Sequence, residues 1–271
     1  MSTTTETPPE HGSFGVMGDL KLVLRQVGYE QLTFWLNPIG AVFTIVFSTV
    51  FLLILEATAG HSTVSSLGGI KLIEYYVPGF VAYGIMSSCY NIQAITMVNR
   101  REMGLLKRLR LSPAPTSILM SAVFVSSMVI ALIQVVLMLA LGRFAYGVHG
   151  PSHLLPFVLV VVVGMLAFTA LGMGMSTLIP NADAAGPVTS IVFFILLAVS
   201  GLWFPIPSTS VLAKITDYFP VRHLILALED SFNHIPGASP WAWHDLGVIA
   251  LWGVAGVFVA VRRWEWAPRR G

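Results

Sequence analysis

The stretch NRREMGLLKRLRLSP, residues 99–113, places five basic side chains within eleven positions: Arg100, Arg101, Lys107, Arg108 and Arg110. Between them, Met103, Leu105, Leu106 and Leu109 recur at helical spacing, with Leu105 and Leu109 at i,i+4 and Leu106 and Leu109 at i,i+3. The pattern predicts a short amphipathic helix from Glu102 to Leu109, ended by Ser112-Pro113-Ala114-Pro115. Its chemistry is recognition. A small apolar patch offers contact area, and Glu102 with the basic residues sets register by charge. Basic residues against anionic headgroups, gaining roughly 1 kcal/mol each, are the alternative.

Catalytic chemistry is harder to find. Each of the four lysines follows a residue other than glycine (Leu20, Ile70, Leu106 and Ala213), so the Gly-Lys step of a Walker A loop does not occur. His149 and His153 stand at i,i+4, a spacing that holds a metal on a helix. Gly150 and Pro151 intervene and favour solvated loop histidines, so no metal site is expected. Asp183 and Glu102 suit turn and docking roles better than acid–base work. Asn91, Gln93 and Gln134 are the main polar residues inside long apolar runs. There they either face a translocation path or tie helices together.

These residues are set in a chain of 271 residues that is 55% hydrophobic and only 10% charged. Ordinary soluble domains carry about 25% charged residues. An all-α membrane protein is the expected class, since about 20 apolar residues in a helix cross a bilayer. Uncharged runs define six spans, near 36–56, 77–98, 117–141, 154–179, 184–204 and 242–262. Trp241, Trp243, Trp264 and Trp266 bracket the last as interfacial belts. Residues 1–13 are polar and expected to be disordered, and 263–271 form a basic tail. The single cysteine, Cys89, leaves the redox compartment unread.

Six spans put both termini on one side. That side holds eleven Lys and Arg and the other four, which makes it the cytoplasm by the positive-inside rule. Arg outnumbers Lys eleven to four, which hints at a GC-rich bacterial genome and so at a bacterial plasma membrane. Positive-inside bias alone accounts for the charge of 99–116, but not for its apolar spacing. Ahead of the first span, residues 14–36 carry Met17, Leu20, Leu24, Val27, Gln31 and Phe34 at intervals of three and four. This predicts an interfacial amphipathic helix, broken by Asn37-Pro38. Outside, residues 205–240 hold two candidate short helices, Val211 to Tyr218 and Arg222 to Asp230.

Residues 101–113 resemble the loop between the second and third spans of ABC-2 type transporter permeases, roughly R-E-x-G-[TL]-L-x-x-L-x-x-[ST]-P. Arg101, Glu102, Gly104, Leu106, Leu109, Ser112 and Pro113 match in place. The segment SGLWFPIPSTSVLAKITDYFPVRHLILALED, 200–230, is similar to the family's stretch between the fifth and sixth spans, and NADAAGPV, 181–188, to the turn that opens the fifth. The daunorubicin-exporter-like subgroup is the nearest. The resemblance implies a transport subunit rather than an enzyme, and a loop helix (Arg101, Glu102, Met103, Gly104, Leu105, Leu106, Leu109) seated in a separate ATPase subunit. ATP and Mg would belong to that partner, with no cofactor on this chain. It further implies that the external segment 205–240 re-enters the outer leaflet and caps the exit path, with a gate at Phe204, Pro205, Phe219 and Pro220, and pairing with a second copy or a sister permease among membrane lipids, with no role for nucleic acid. A drug-like or lipid-like cargo is expected. Lipid-linked glycan export and, in a different class, an intramembrane lipid-modifying enzyme are the alternatives.

Overall fold

The computed structural model describes residues 16–59, 63–64, 70–106, 116–203, 206, 210–232, 239 and 241–265. Phe204 and Pro205, with the whole of 107–115 (Leu109 included) and both terminal tails, lie outside the described residues. The described chain is helical, apart from a two-residue antiparallel pairing of Thr63 with Lys71 and Val64 with Ile70 (β1, Thr63–Val64; β2, Ile70–Lys71).

The helices follow in order: α1 Val16–Trp35, α2 Pro38–Ala59, α3 Leu72–Met86, α4 Gln93–Glu102, α5 Thr116–Tyr146, α6 Leu154–Leu178, α7 Ala182–Ala198, α8 Val211–Thr216, α9 Pro220–Ser231 and α10 Trp243–Arg263. Their boundaries have local causes. Pro38 opens α2 and Pro220 opens α9, positions where proline's missing N–H costs nothing. Asn181 caps α7 by accepting from the Ala184 N–H at 2.9 Å, and Ser210 caps α8 by accepting from Ala213 at 3.1 Å. Gly104, at φ +67, ends the α4 turn in the left-handed region, where a side chain is disfavoured.

Among the described residues, three helical stretches are long and apolar enough to cross a membrane: Ile118–Tyr146, Leu154–Leu178 and Trp243–Arg263. Thr44–Thr58 and Ala182–Ala198 are shorter apolar helices. The expected fifth span, 184–204, stops at Ala198. Its chain turns through Ser200 and Gly201 (φ +88), where the Ser200 hydroxyl accepts from Leu202 N–H at 3.1 Å and the Tyr75 hydroxyl donates to the Gly201 carbonyl.

The expected second span is not one regular helix. Between α3 and α4 the backbone widens into a π-helical stretch, Ser87–Ile92. Such widenings recur at functional positions and shift the carbonyl ladder. Gly172 of α6 fits against this stretch, since a Cβ there would stand 2.8 Å from the Cys89 carbonyl oxygen and 2.9 Å from that of Tyr90. Lower on α6, Gly174 meets Gly256 of α10 backbone to backbone, with Gly253 against Ala167. The LGMGMS stretch, 171–176, thus serves close helix packing on two sides. Helix α3 sits at the centre, buried from Tyr75 through Met86, with Phe80, Ile85 and Met86 fully enclosed. A ring cluster of Phe51, Phe80, Tyr83, Phe193 and Trp203 joins α2, α3 and α7.

Candidate functional site

The site residues fall at three depths: the end where α4 turns at Gly104 (the loop end), the π stretch, and the opposite end around α9 (the far end). At the loop end, α4 runs on to Glu102 and turns at Met103 and Gly104, and helix resumes at Leu105 and Leu106. The apolar residues divide. Leu106 is buried with Met97 and Val123, while Met103 and Leu105 are 72% and 40% exposed.

Arg101 is only 3% exposed. Its guanidinium donates to the carbonyls of Ser176 (3.2 Å), Ile179 (2.7 Å) and Pro180 (3.2 Å), and to the Glu102 carboxylate at 2.8 Å. Those carbonyls belong to the end of α6 and its turn into α7, where a helix leaves acceptors unsatisfied and carries partial negative charge. A planar five-donor fork suits this task as no lysine could. One residue earlier, Arg100 makes a two-pronged ion pair with Glu30 of α1, one branch at 2.9 Å. Gln31 of α1 donates to the Ser126 carbonyl (2.9 Å) and hydroxyl (2.8 Å) on α5. Two adjacent arginines thus fasten the loop turn to α1 on one side and to the α6–α7 turn on the other. A polar recess of about 300 Å³ lies beside them, lined by Glu30, Asn37, Asn99, Arg100 and Ser126.

At mid-depth the three amides behave differently. Gln134 is fully buried, and its carboxamide accepts from Ser88 at 2.9 Å and donates to the Thr44 carbonyl at 2.7 Å. It ties α2, the π stretch and α5 together. Gln93 is 0% exposed, yet neither its amide nitrogen nor its oxygen has a partner. The Tyr90 hydroxyl and the Asn91 side-chain oxygen are likewise buried and unpartnered. Two clefts flank this level. One of about 690 Å³ lies between α5, α6 and α10, walled by Phe124, Met128, Leu166, Met173 and Val257. A second, of about 320 Å³, runs from Tyr90 along α6, α7 and α10 to Phe219 and Pro220. Phe219 and Pro220 therefore line this cleft as well as standing at the start of α9.

The far end also gathers charges that the sequence did not single out. Arg222 pairs with Asp217 at 2.9 Å. His223 lies between the Asp245 carboxylate (Nδ1, 2.6 Å) and the Asp217 carbonyl (Nε2, 2.7 Å). Burial works against its charge, but these two acceptors outweigh it and hold the imidazole pKa above its usual value. Glu229 is buried among apolar groups, which pushes its pKa up to about 8. The neighbouring Asp230 charge adds to this and Arg222 offsets part of it. Burial and then the Asp245 charge push Asp230 up to about 6. Nothing in the local sequence marks these groups, because His223 and Asp245 meet across 22 positions. The i,i+4 pair His149 and His153 lies in irregular chain, with His149 exposed.

An apolar helical bundle with a braced, outward-facing loop turn at one end has the layout of a multi-pass transport permease. Residues 68–262 match the profile of the ABC-2 family transporter proteins. The chain therefore belongs to the ABC-2 transporter family. It is also similar to "Putative transport permease YvfS" of Bacillus subtilis (strain 168), 23% identical over 177 residues, covering 65% of this chain and 70% of that protein.

Proposed function

We propose that this chain is the membrane subunit of an ATP-driven exporter. It would span the bacterial inner membrane six times with both termini in the cytoplasm, and move an apolar or amphipathic drug-like or lipid-like molecule outward. Six spans make half of a two-fold pathway, so a second copy or a sister permease completes it. The α3–π–α4 unit supplies the second span, and α2 and α7 the first and fifth. A separate ATPase subunit binds ATP and Mg, since this sequence lacks the Gly-Lys step of a Walker A loop.

The observation that carries this reading is the division of labour in the 100–106 turn. Arg101 and Leu106 are used inside the chain, while among the described residues Met103 is largely exposed and Leu105 partly so at its tip. An apolar tip on a braced support is suited to being pushed. Force applied to Met103 passes through α4 to α1 by Arg100–Glu30 and to α6 and α7 by Arg101. The tip is the docking contact, and the two arginines are positioning residues.

Along the path, the unpartnered Gln93 amide next to the π stretch and the unpartnered Asn91 oxygen within it offer hydrogen bonds to a cargo's polar group or to water, in otherwise apolar surroundings. Gln134 is left out of the path, because both ends of its amide are engaged. The apolar walls of the 690 Å³ cleft favour a lipid-like cargo over a glycan. In proteoliposomes with the partner ATPase, the double variant Met103→Asp, Leu105→Asp should lower ATP-driven flux at least tenfold while leaving the melting temperature within a few degrees. Undiminished flux in that variant would remove the docking role from the tip.

A further inference from the structure

His223 on α9 and the pair His244 and Asp245 in the first turn of α10 bring three metal-ligating side chains together at the far end. Asp245 Oδ1 lies 2.6 Å from His223 Nδ1 and 3.8 Å from His244 Nδ1, and the three donor atoms fall within 4.8 Å of one another. The imidazole rings stand 5.5 Å apart, edge to face. Donors around one tetrahedral zinc ion are separated by about 3.3 Å, from metal–ligand lengths of about 2.0–2.1 Å. The observed separations straddle that value, and the His244 side chain is 82% exposed.

The surroundings of His223 are the second reason to read a metal site here. Its Nε2 lies 2.7 Å from the Asp217 carbonyl. A metal-bound imidazole characteristically donates its other N–H to a carbonyl or carboxylate, which fixes the tautomer and aims the ligating lone pair. With Nε2–H committed to Asp217, the Nδ1 lone pair points at Asp245. A cation bound there would sit between Nδ1 and the Asp245 carboxylate, 2.6 Å apart in this structure. The backbone adds a third observation. Ala242, which precedes α10, is held at φ 42 and ψ 45 and is the one non-glycine residue at positive φ among the described residues. Left-handed alanine is strained and persists where surrounding structure demands it. Here it sets where α10 begins and therefore where His244 and Asp245 face.

We infer that His223, His244 and Asp245 form a zinc site that pins α9 to the start of α10. Two nitrogens and one carboxylate oxygen are a donor set suited to zinc among divalent ions, and the fourth position is left to water. The site is separate from the loop tip and from the clefts, so it stands or falls independently of the transport reading.

The test is a zinc titration of the purified, chelator-stripped chain in detergent, against a chromogenic zinc chelator of micromolar affinity. One zinc per chain should bind, with a rise in melting temperature of several degrees. His244→Ala leaves the His223–Asp245 and His223–Asp217 bonds in place, yet it should weaken binding at least tenfold and abolish the thermal shift. The double variant His149→Ala, His153→Ala should bind as the parent does. No retained zinc, equal binding by His244→Ala, or loss only in the His149, His153 variant would each overturn the assignment.

Discussion

Arg101 shows how a residue's type is legible while its task is not. Its place in an R-E-x-G pattern points to the loop and to a partner. Its carbonyl acceptors lie 75 to 79 positions away, and no local spacing encodes them. Replacing it with Ala leaves three carbonyls at the α6 end without their donors, a loss of about 3 kcal/mol at the unsatisfied-group scale. Arg101→Ala should therefore lower the melting temperature in detergent by several degrees. Arg101→Lys should fall between the two, because one ammonium cannot span all three acceptors. Parent-like melting of Arg101→Ala would show that the clamp is dispensable. Glu229 makes the largest shift among the far-end carboxyls and contributes a pH dependence of its own. Its folded-state pKa, raised to about 8, means the native chain binds this proton more tightly than the unfolded chain does. The contribution of Glu229 to stability is then greatest below about pH 4.3, the unfolded carboxyl value, and falls by at most about 1.4 kcal/mol per pH unit until pH 8. Glu229→Gln should flatten the melting-temperature profile between pH 5 and 8 and exceed the parent at pH 8, as differential scanning fluorimetry can read.

At the scale of elements, proline, glycine and cap residues mark most boundaries in the sequence, and several helices begin within a few residues of the expected place. Two departures have physical causes. The fifth apolar helix ends early because Gly201 takes a left-handed turn that Tyr75 hydrogen-bonds from another helix. The π stretch at Ser87–Ile92 is invisible to hydropathy, since an apolar run reads the same in either helix type. Its partner, Gly172, is seventy residues and more downstream. The small residues of LGMGMS permit close helix packing, but nothing in them says against which helices. At Gly256 an added Cβ would lie 2.7 Å from the Ala170 carbonyl carbon and oxygen. Gly256→Val should force α6 and α10 apart, lowering yield and melting temperature sharply. Gly247→Ala, with open space at its Cβ, should leave both unchanged. Equal behaviour of the two variants would contradict the described α6–α10 contact.

For the whole molecule, composition alone points to a membrane, and the loop motif to a transporter family. Cargo is another matter. The polar groups available to it, Gln93 and Asn91, are indistinguishable in sequence from Gln134, and only three-dimensional partnering separates a helix tie from an open amide. The central claim is that an ATPase subunit drives this bundle by seating on the exposed turn. A photo-cross-linking amino acid placed at Met103 in the native host, followed by purification and mass spectrometry, tests it most directly. The account predicts one dominant adduct, with a chain that carries a Walker A sequence, and none from the same probe placed at Leu154 on the far end. Adducts to lipid alone, or the same partner from both positions, would contradict it.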